Sequence, residues 1–192
     1  MTPPVSSFVT SCRQFAEEVI APHARQYDRE NRFPAAVHEA AHARGGIIGA
    51  DLPAALGGGG LPDVEAVAGA EALATVCAPT AFTLGFNRGA LHPILTAGTP
   101  EQRERLVGEL LSRRQYASLC LTEPEVSGSN LMGLQTTARR TGRGWGIEGT
   151  KSMVGQGTVA SLYLVLARTE VDGVSRGLSF FAVPRTEAVE VG

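Results

Sequence analysis

The sequence predicts an α+β protein in which an amino-terminal all-helical domain is followed by a partial antiparallel β domain. Three observations predict it. Apolar residues recur at helical spacing from Phe8 to Leu111, and that period is lost after Gln115. From Tyr116 onward, short strand-like runs alternate with Gly-containing turns. Helices segregated ahead of strands argue α+β, with a helical domain over 1–115 and an incomplete β domain over 116–192.

Taken in order, Phe8, Cys12, Phe15 and Val19 share one helical face, and Pro22 bends or restarts that helix. Phe33-Pro34 opens a second helix that Gly45-Gly46 closes. After a Pro/Gly loop from Ile47 to Leu61, a helix starts at Pro62-Asp63 and stops near Pro79, and another runs from Thr80 to Ala97. Thr99-Pro100-Glu101-Gln102 is a helix start, with Thr99 as cap, Pro100 in the first turn and Gln102 placed to reach back. Strands are expected over Tyr116 to Leu121, Thr136 to Arg140, Trp145 to Glu148, Leu162 to Thr169 and Leu178 to Val183, with Gly142-Arg143-Gly144 as a hairpin turn.

Composition narrows the function. A net charge of -2 without a basic, aromatic-interleaved patch argues against nucleic acid as partner. No apolar run approaches the roughly 20 residues that span a bilayer. The start, Met1 to Ser7, has neither the basic region nor the apolar run of a secretory leader. Cys12, Cys77 and Cys120 are scattered and odd in number, so they read as reduced thiols of a cytoplasmic protein.

Three patterns suggest chemistry. His38-Glu39-Ala40-Ala41-His42 fits H-E-x-x-H, in which two imidazoles on one helical face hold zinc while the glutamate activates water. The same residues also suit an ordinary face of an Ala-rich helix. Gly173-Val174-Ser175-Arg176-Gly177 fits a nucleophile elbow, but a strand-like run follows and all histidines lie upstream, so it reads as a hairpin turn. Gly57 to Gly60 lacks the strand, helix and acidic partner of a phosphate loop and reads as mobile chain or a close backbone approach.

Four collinear segments resemble the acyl-CoA dehydrogenases. They are Asp28 to Gly58, Pro93 to Leu106, Leu121-Thr122-Glu123-Pro124 through Gly128-Ser129, and Gly149-Thr150-Lys151 through Thr169. The resemblance implies FAD as cofactor, an acyl-CoA or acyl-carrier thioester as substrate, and α,β-desaturation by loss of an α-proton with hydride transfer from the β-carbon. It places Leu121, Thr122, Ser129, Met153 and Gly155 at the cofactor, and Phe82, Gly85, Phe86 and Ser129 along the substrate. No residue of this chain matches the family's catalytic carboxylate, and no metal is implied. The carboxy-terminal domain is expected from further sequence or from another chain in a homo- or hetero-oligomer.

The resemblance has departures. Met153 stands where the family carries a tryptophan, and Gly155 stands where it carries a hydroxyl side chain. Asn130 replaces the usual aspartate. These changes keep a second reading open, a non-catalytic partner subunit that binds thioester or another chain. A zinc hydrolase on His38 and His42 is the third.

Overall fold

The computed structural model describes residues 6–142 and 144–192. Met1 to Val5, in the segment read as lacking a leader, and Arg143, at the centre of the expected hairpin turn, lie outside the described residues.

Ser6 caps the first helix, its side chain accepting the Val9 N–H at 3.2 Å, and α1 (Ser7–Phe15) buries Val9, Cys12 and Phe15. The helix widens into a π segment over Ala16–Ile20, and the chain then turns at Pro22 before α2 (Ala24–Glu30). A ring nitrogen without a proton cannot continue the ladder, so the break falls where proline predicts it. The third helix, α3 (Ala35–Arg44), ends on Gly45 at φ 76°. In the loop that follows, β-carbons built on Gly58 and Gly59 would lie 2.2 and 2.5 Å from the Leu52 and Ala50 carbonyl oxygens. The glycine run is therefore a close approach of two backbone segments.

The next boundary differs from expectation. Helix α4 (Asp63–Ala74) ends before Pro79, which instead lies in the first turn of α5 (Ala78–Ala97). That turn has no use for the missing N–H, so proline starts a helix there. Thr99 makes the predicted capping box: its Oγ1 accepts from Gln102 N at 3.2 Å, and Gln102 Oε1 accepts from Thr99 N at 2.9 Å. Short helices α6 (Pro100–Arg103) and α7 (Glu109–Ser112) flank a second π segment, Glu104–Gly108.

Five strands follow: β1 (Ala117–Cys120), β2 (Thr137–Thr141), β3 (Gly144–Glu148), β4 (Leu162–Val171) and β5 (Val174–Pro184). The α+β layout is as expected, but the sheet is mixed rather than antiparallel. β4 runs parallel to β1 through Leu162 to Val165 and parallel to β2 through Arg168 to Glu170, while β5 pairs with it antiparallel. The long passage from β1 to β4, which contains the β2–β3 hairpin, gives the chain room to return in the same direction. The elbow-like segment is also shifted: the chain reverses at Asp172-Gly173, and Ser175 is already in β5 opposite Glu170.

Helices and sheet share a core. Leu91 and Ile94 of α5 and Leu110 of α7 pack with Ala117, Leu162 and Leu164. Asn87, buried on α5, fixes the junction, since its Oδ1 accepts from Ala117 N at 2.9 Å and its Nδ2 donates to Gln115 O at 3.2 Å. A buried amide with both ends satisfied sets the register of β1 against the helices. Among the described residues, no helix is long and apolar enough to cross a membrane.

Candidate functional site

The site forms where β1 runs out beneath α5. Past Cys120 the chain has no ladder partner, and its hydrogen-bonding groups divide into two sets. The carbonyls are engaged: Leu121 O accepts from Lys151 Nζ at 2.9 Å, and Thr122 O accepts from Ser152 N at 2.8 Å. The donors are open. Among the described residues, neither the Leu121 and Thr122 N–H groups nor the half-buried Thr122 hydroxyl has a hydrogen-bond partner. Donors left unpaired beside engaged acceptors mark a surface prepared for a ligand's acceptors.

Gly128 keeps that surface open. A β-carbon built on it would come 2.9 Å from Thr122 Oγ1 and 3.0 Å from Leu121 Cβ. Any side chain there would press on the hydroxyl, so the glycine leaves a cradle over Thr122. The loop curls back through Glu123 and Val126, which bond each other's backbone at 2.9 and 3.2 Å, and Ser129 stands exposed just beyond Gly128. Asn130 Oδ1 accepts from Gly133 N at 3.2 Å and caps a short 3-10 turn, Leu131–Gly133, so the amide does the capping that an aspartate would do.

Glu123 anchors the arrangement. Its Oε1 accepts from Thr136 N at 2.9 Å, Thr136 Oγ1 at 2.6 Å and Lys151 Nζ at 2.9 Å, and its Oε2 accepts from Gln135 N at 2.6 Å. Burial pushes this carboxyl up, but the bonds from Thr136, Gln135 and Lys151 outweigh it and hold the group down to about 2. A carboxylate this well solvated by fixed donors stays ionised at neutral pH and is a poor proton acceptor. Glu123 is a structural anion, and its partner is the only lysine in the chain.

The second loop carries the two departures. Met153 and Gln156 are non-glycine residues at φ 52° and 59°, a backbone region that costs about 1 kcal/mol or more and persists only when surroundings enforce it. Here the enforcement comes from three sides. Ser152 N is tied to Thr122 O, Ser118 Oγ donates to Gly155 O at 2.7 Å, and Gln156 Nε2 donates to Thr83 O of α5. The result presents Met153 to solvent at 92% exposure. Gly155 faces α5, where the Phe86 ring fills the space that a side chain would take: a built β-carbon would lie 2.7 Å from Phe86 Cζ.

The structure thus ties the Thr122 strand end to the Met153 loop through Ser152 N, and sets Gly155 against Phe86 of α5. Phe82 meets the Phe86 ring at a 57° tilt, 5.1 Å between centroids, and is 61% exposed. Gly85 lines an apolar cavity of about 210 Å³ between α4 and α5, together with Val67, Ala70 and Leu84. The residues missed by sequence reasoning are Glu123, Lys151 and Thr136 as one buried cluster, and the pairing of Phe86 with Gly155. A lone lysine inside a Gly-Thr-Lys turn was the available signal for the first.

His38 and His42 do not converge. Thr83 Oγ1 donates to Thr80 O, so it accepts from His38 Nε2–H at 2.9 Å, whereas His42 Nε2 meets the Tyr116 hydroxyl at 3.2 Å. Burial first, and His42 second, push the His38 imidazole down to about 4, which keeps it neutral in the core. Among the described residues there is no group of three or more His, Cys, Asp or Glu side chains that could hold a metal ion.

Comparison with known proteins gives the family. The N-terminal domain of acyl-CoA dehydrogenases matches residues 2–114, and the middle domain of the same family matches residues 118–192. The chain belongs to the acyl-CoA dehydrogenase family. It is 34% identical over 175 residues to the short-chain specific acyl-CoA dehydrogenase of Bos taurus, covering 91% of this chain and 42% of that protein. It is also 34% identical over 174 residues to the 3-sulfinopropanoyl-CoA desulfinase of Paraburkholderia xenovorans (strain LB400), covering 90% of this chain and 44% of that one. Among solved structures, an acyl-CoA dehydrogenase from Bacillus anthracis complexed with FAD superposes with a TM-score of 0.77 at 28% identity, covering 92% of this chain and 30% of that chain. The chain therefore spans less than half the length of these family members.

Proposed function

We propose that this chain forms the cofactor- and thioester-facing part of an FAD-dependent acyl-CoA dehydrogenase, acting in the cytoplasm on an acyl-CoA or acyl-carrier thioester. One observation carries the reading. The Leu121 and Thr122 N–H groups and the Thr122 hydroxyl lack internal partners, and Gly128 keeps the space above them clear. Three unpaired donors on adjacent residues suit the polar edge of a flat heterocycle. The FAD-bound relative from Bacillus anthracis supports the same choice of cofactor.

FAD, when bound, supplies the acceptor for the hydride that leaves the substrate β-carbon. The chain's own residues do the positioning. Leu121 and Thr122 donate to the cofactor, Ser129 lies toward the substrate arm or the cofactor's phosphates, and Met153 offers a soft thioether edge to a ring. Gly155 contributes no hydroxyl, so the cofactor receives one hydrogen bond fewer than the family pattern provides. Phe82, Gly85 and Phe86 form the apolar side along which an acyl group lies, excluding water from the reacting carbons. Glu123 is a poor base because four donors occupy its oxygens and hold its carboxyl down to about 2. The carboxylate that takes the α-proton comes from outside these residues, in a homo- or hetero-oligomer or in further sequence.

A second reading has its own support. The Phe86 ring against Gly155 fills space beside the reactive groove, which suits a subunit that binds thioester without turning it over. Titration of the purified chain with FAD, followed by visible absorption and fluorescence, separates the two. Saturable binding with a perturbed flavin spectrum supports the dehydrogenase reading, and binding of butyryl-CoA without any binding of FAD supports the second.

A further inference from the structure

We propose that Gln156 is a positioning residue: its side chain sets the Met153–Gly155 loop against α5 and, through that loop, the surroundings of the cofactor. The second half of this statement rests on the reading of the loop as cofactor-facing. The first half stands on contacts within the chain.

Gln156 lies at φ 59°, a conformation in which glycine or asparagine is the usual residue. A glutamine there is unfavourable and is held by something outside its own backbone. Its side chain supplies the hold. Gln156 is only 8% exposed, and its Nε2 donates to Thr83 O of α5. Its Oε1 is buried without a hydrogen-bond partner among the described residues, so the amide is kept inside for that one bond.

The receiving end is firm. Thr83 Oγ1 donates to Thr80 O at 2.9 Å and accepts from His38 Nε2–H at 2.9 Å, so α3 and α5 fix the same residue. The other ties of residues 152–158 to the rest of the chain run to the sheet and the segments flanking it. Ser152 N donates to Thr122 O, and Gly155 O accepts from Ser118 Oγ. Gly157 O accepts from the Tyr163 hydroxyl at 2.8 Å, and Thr158 O from Arg185 Nη1 at 2.6 Å. Among the described residues, the Gln156 amide is the one hydrogen bond that fastens this loop to a helix. Phe86, which meets Gly155, follows Thr83 by three residues on the same face of α5. The amide therefore sets how closely Gly155 approaches the ring. Without it, the sheet-side ties keep the loop folded but no longer registered on α5.

The test is NMR of the isotope-labelled, cofactor-free chain, reading the Gly155 amide and α-proton signals, which the neighbouring Phe86 ring displaces. Gln156→Gly accepts the backbone conformation and lacks the amide, whereas Gln156→Leu keeps an apolar side chain of similar reach. Thr83→Ala is the control, since it removes the hydroxyl that His38 uses and keeps the carbonyl that Gln156 uses. Both Gln156 variants are expected to move the Gly155 signals toward those of an unstructured glycine. Thr83→Ala is expected to lower the thermal midpoint and leave them in place. In FAD titrations, both Gln156 variants should bind about fivefold more weakly, the worth of one hydrogen bond, with a shifted flavin absorption band. Gly155 signals unchanged in the folded Gln156 variants, or moved equally by Thr83→Ala, overturn the proposal. Signals that move with no change in FAD affinity overturn its second half. If wild type binds no FAD, the cofactor reading fails and that half with it, while the Gly155 signals still decide the first. Should one Gln156 variant not fold, the other decides by the same criterion.

Discussion

Lys151 Nζ lies 2.9 Å from Glu123 Oε1, and the two side chains are only 8% and 5% exposed. The same ammonium reaches Leu121 O at 2.9 Å, so one buried cation joins the end of β1 to the segment that follows β3. Taking both charges out of water is expensive, and their attraction offsets that expense because Thr136 and Gln135 also donate to the carboxylate and Leu121 O also accepts from the ammonium. The pair is therefore a positioning device that fixes which side of the Leu121-Thr122 backbone faces outward.

Breaking the pair is expected to be severe. Lys151→Met leaves Glu123 buried with its N–H and hydroxyl donors but no cation, and frees the Leu121 carbonyl. Unfolding in urea should show a loss of about 3 kcal/mol. FAD affinity should fall as well, because the donors of Leu121 and Thr122 lose their reference. A loss below about 0.5 kcal/mol, the range of an exposed pair, would mean that the pair is not buried as described.

Thr122→Val keeps the shape of the side chain and removes its hydroxyl. Since that hydroxyl has no protein partner, stability should hardly change. FAD binding should weaken by roughly 1 kcal/mol, about fivefold in Kd. Flavin titration of the two proteins measures this directly, and equal affinities would place the flavin elsewhere.

Acid should unfold the protein in two stages, both with the same sign. The His38 imidazole is held at about 4 in the fold against 6.5 outside it, so the unfolded chain binds more protons between those values and stability drops as pH falls through them. The Glu123 carboxyl is held at about 2 against 4.5, so its contribution is complete above 4.5 and lost as pH falls toward 2. Each accounts for a loss on the order of 3 kcal/mol. Denaturation midpoints measured from pH 7 to pH 3 should fall throughout, and Glu123→Gln should flatten the lower part of the curve.

Gly155→Ala should destabilise by about 1–3 kcal/mol, because its methyl group meets the Phe86 ring. Combined with Phe86→Leu, most of that loss should disappear. A double-mutant cycle on thermal or urea unfolding is expected to give a coupling above 0.5 kcal/mol, a roughly set threshold for residues in contact, and additivity would show that the two are not neighbours.

How far the sequence could be read depended on distance along the chain. The capping box at Thr99 and the break at Pro22 were legible because each is set within a few residues by local backbone chemistry. Pro79 misled, since proline ends one helix and begins another with equal ease. The π segments at Ala16–Ile20 and Glu104–Gly108 left no pattern distinct from an ordinary helix. H-E-x-x-H correctly put His38 and His42 on one helix, but spacing alone says nothing about what each ring meets, and one found Thr83 while the other found Tyr116.

By itself the sequence determined the α+β order and the place where helices give way to strands. Those depend on hydrophobic period and turn chemistry, which act between near neighbours. Only the tertiary structure decided that the sheet is mixed, that Glu123 is tied down by Thr136, Gln135 and Lys151, and that Phe86 occupies the space beside Gly155. Each of these is a contact between remote segments, and its free energy comes from burial and hydrogen bonding that exist only once those segments are packed together.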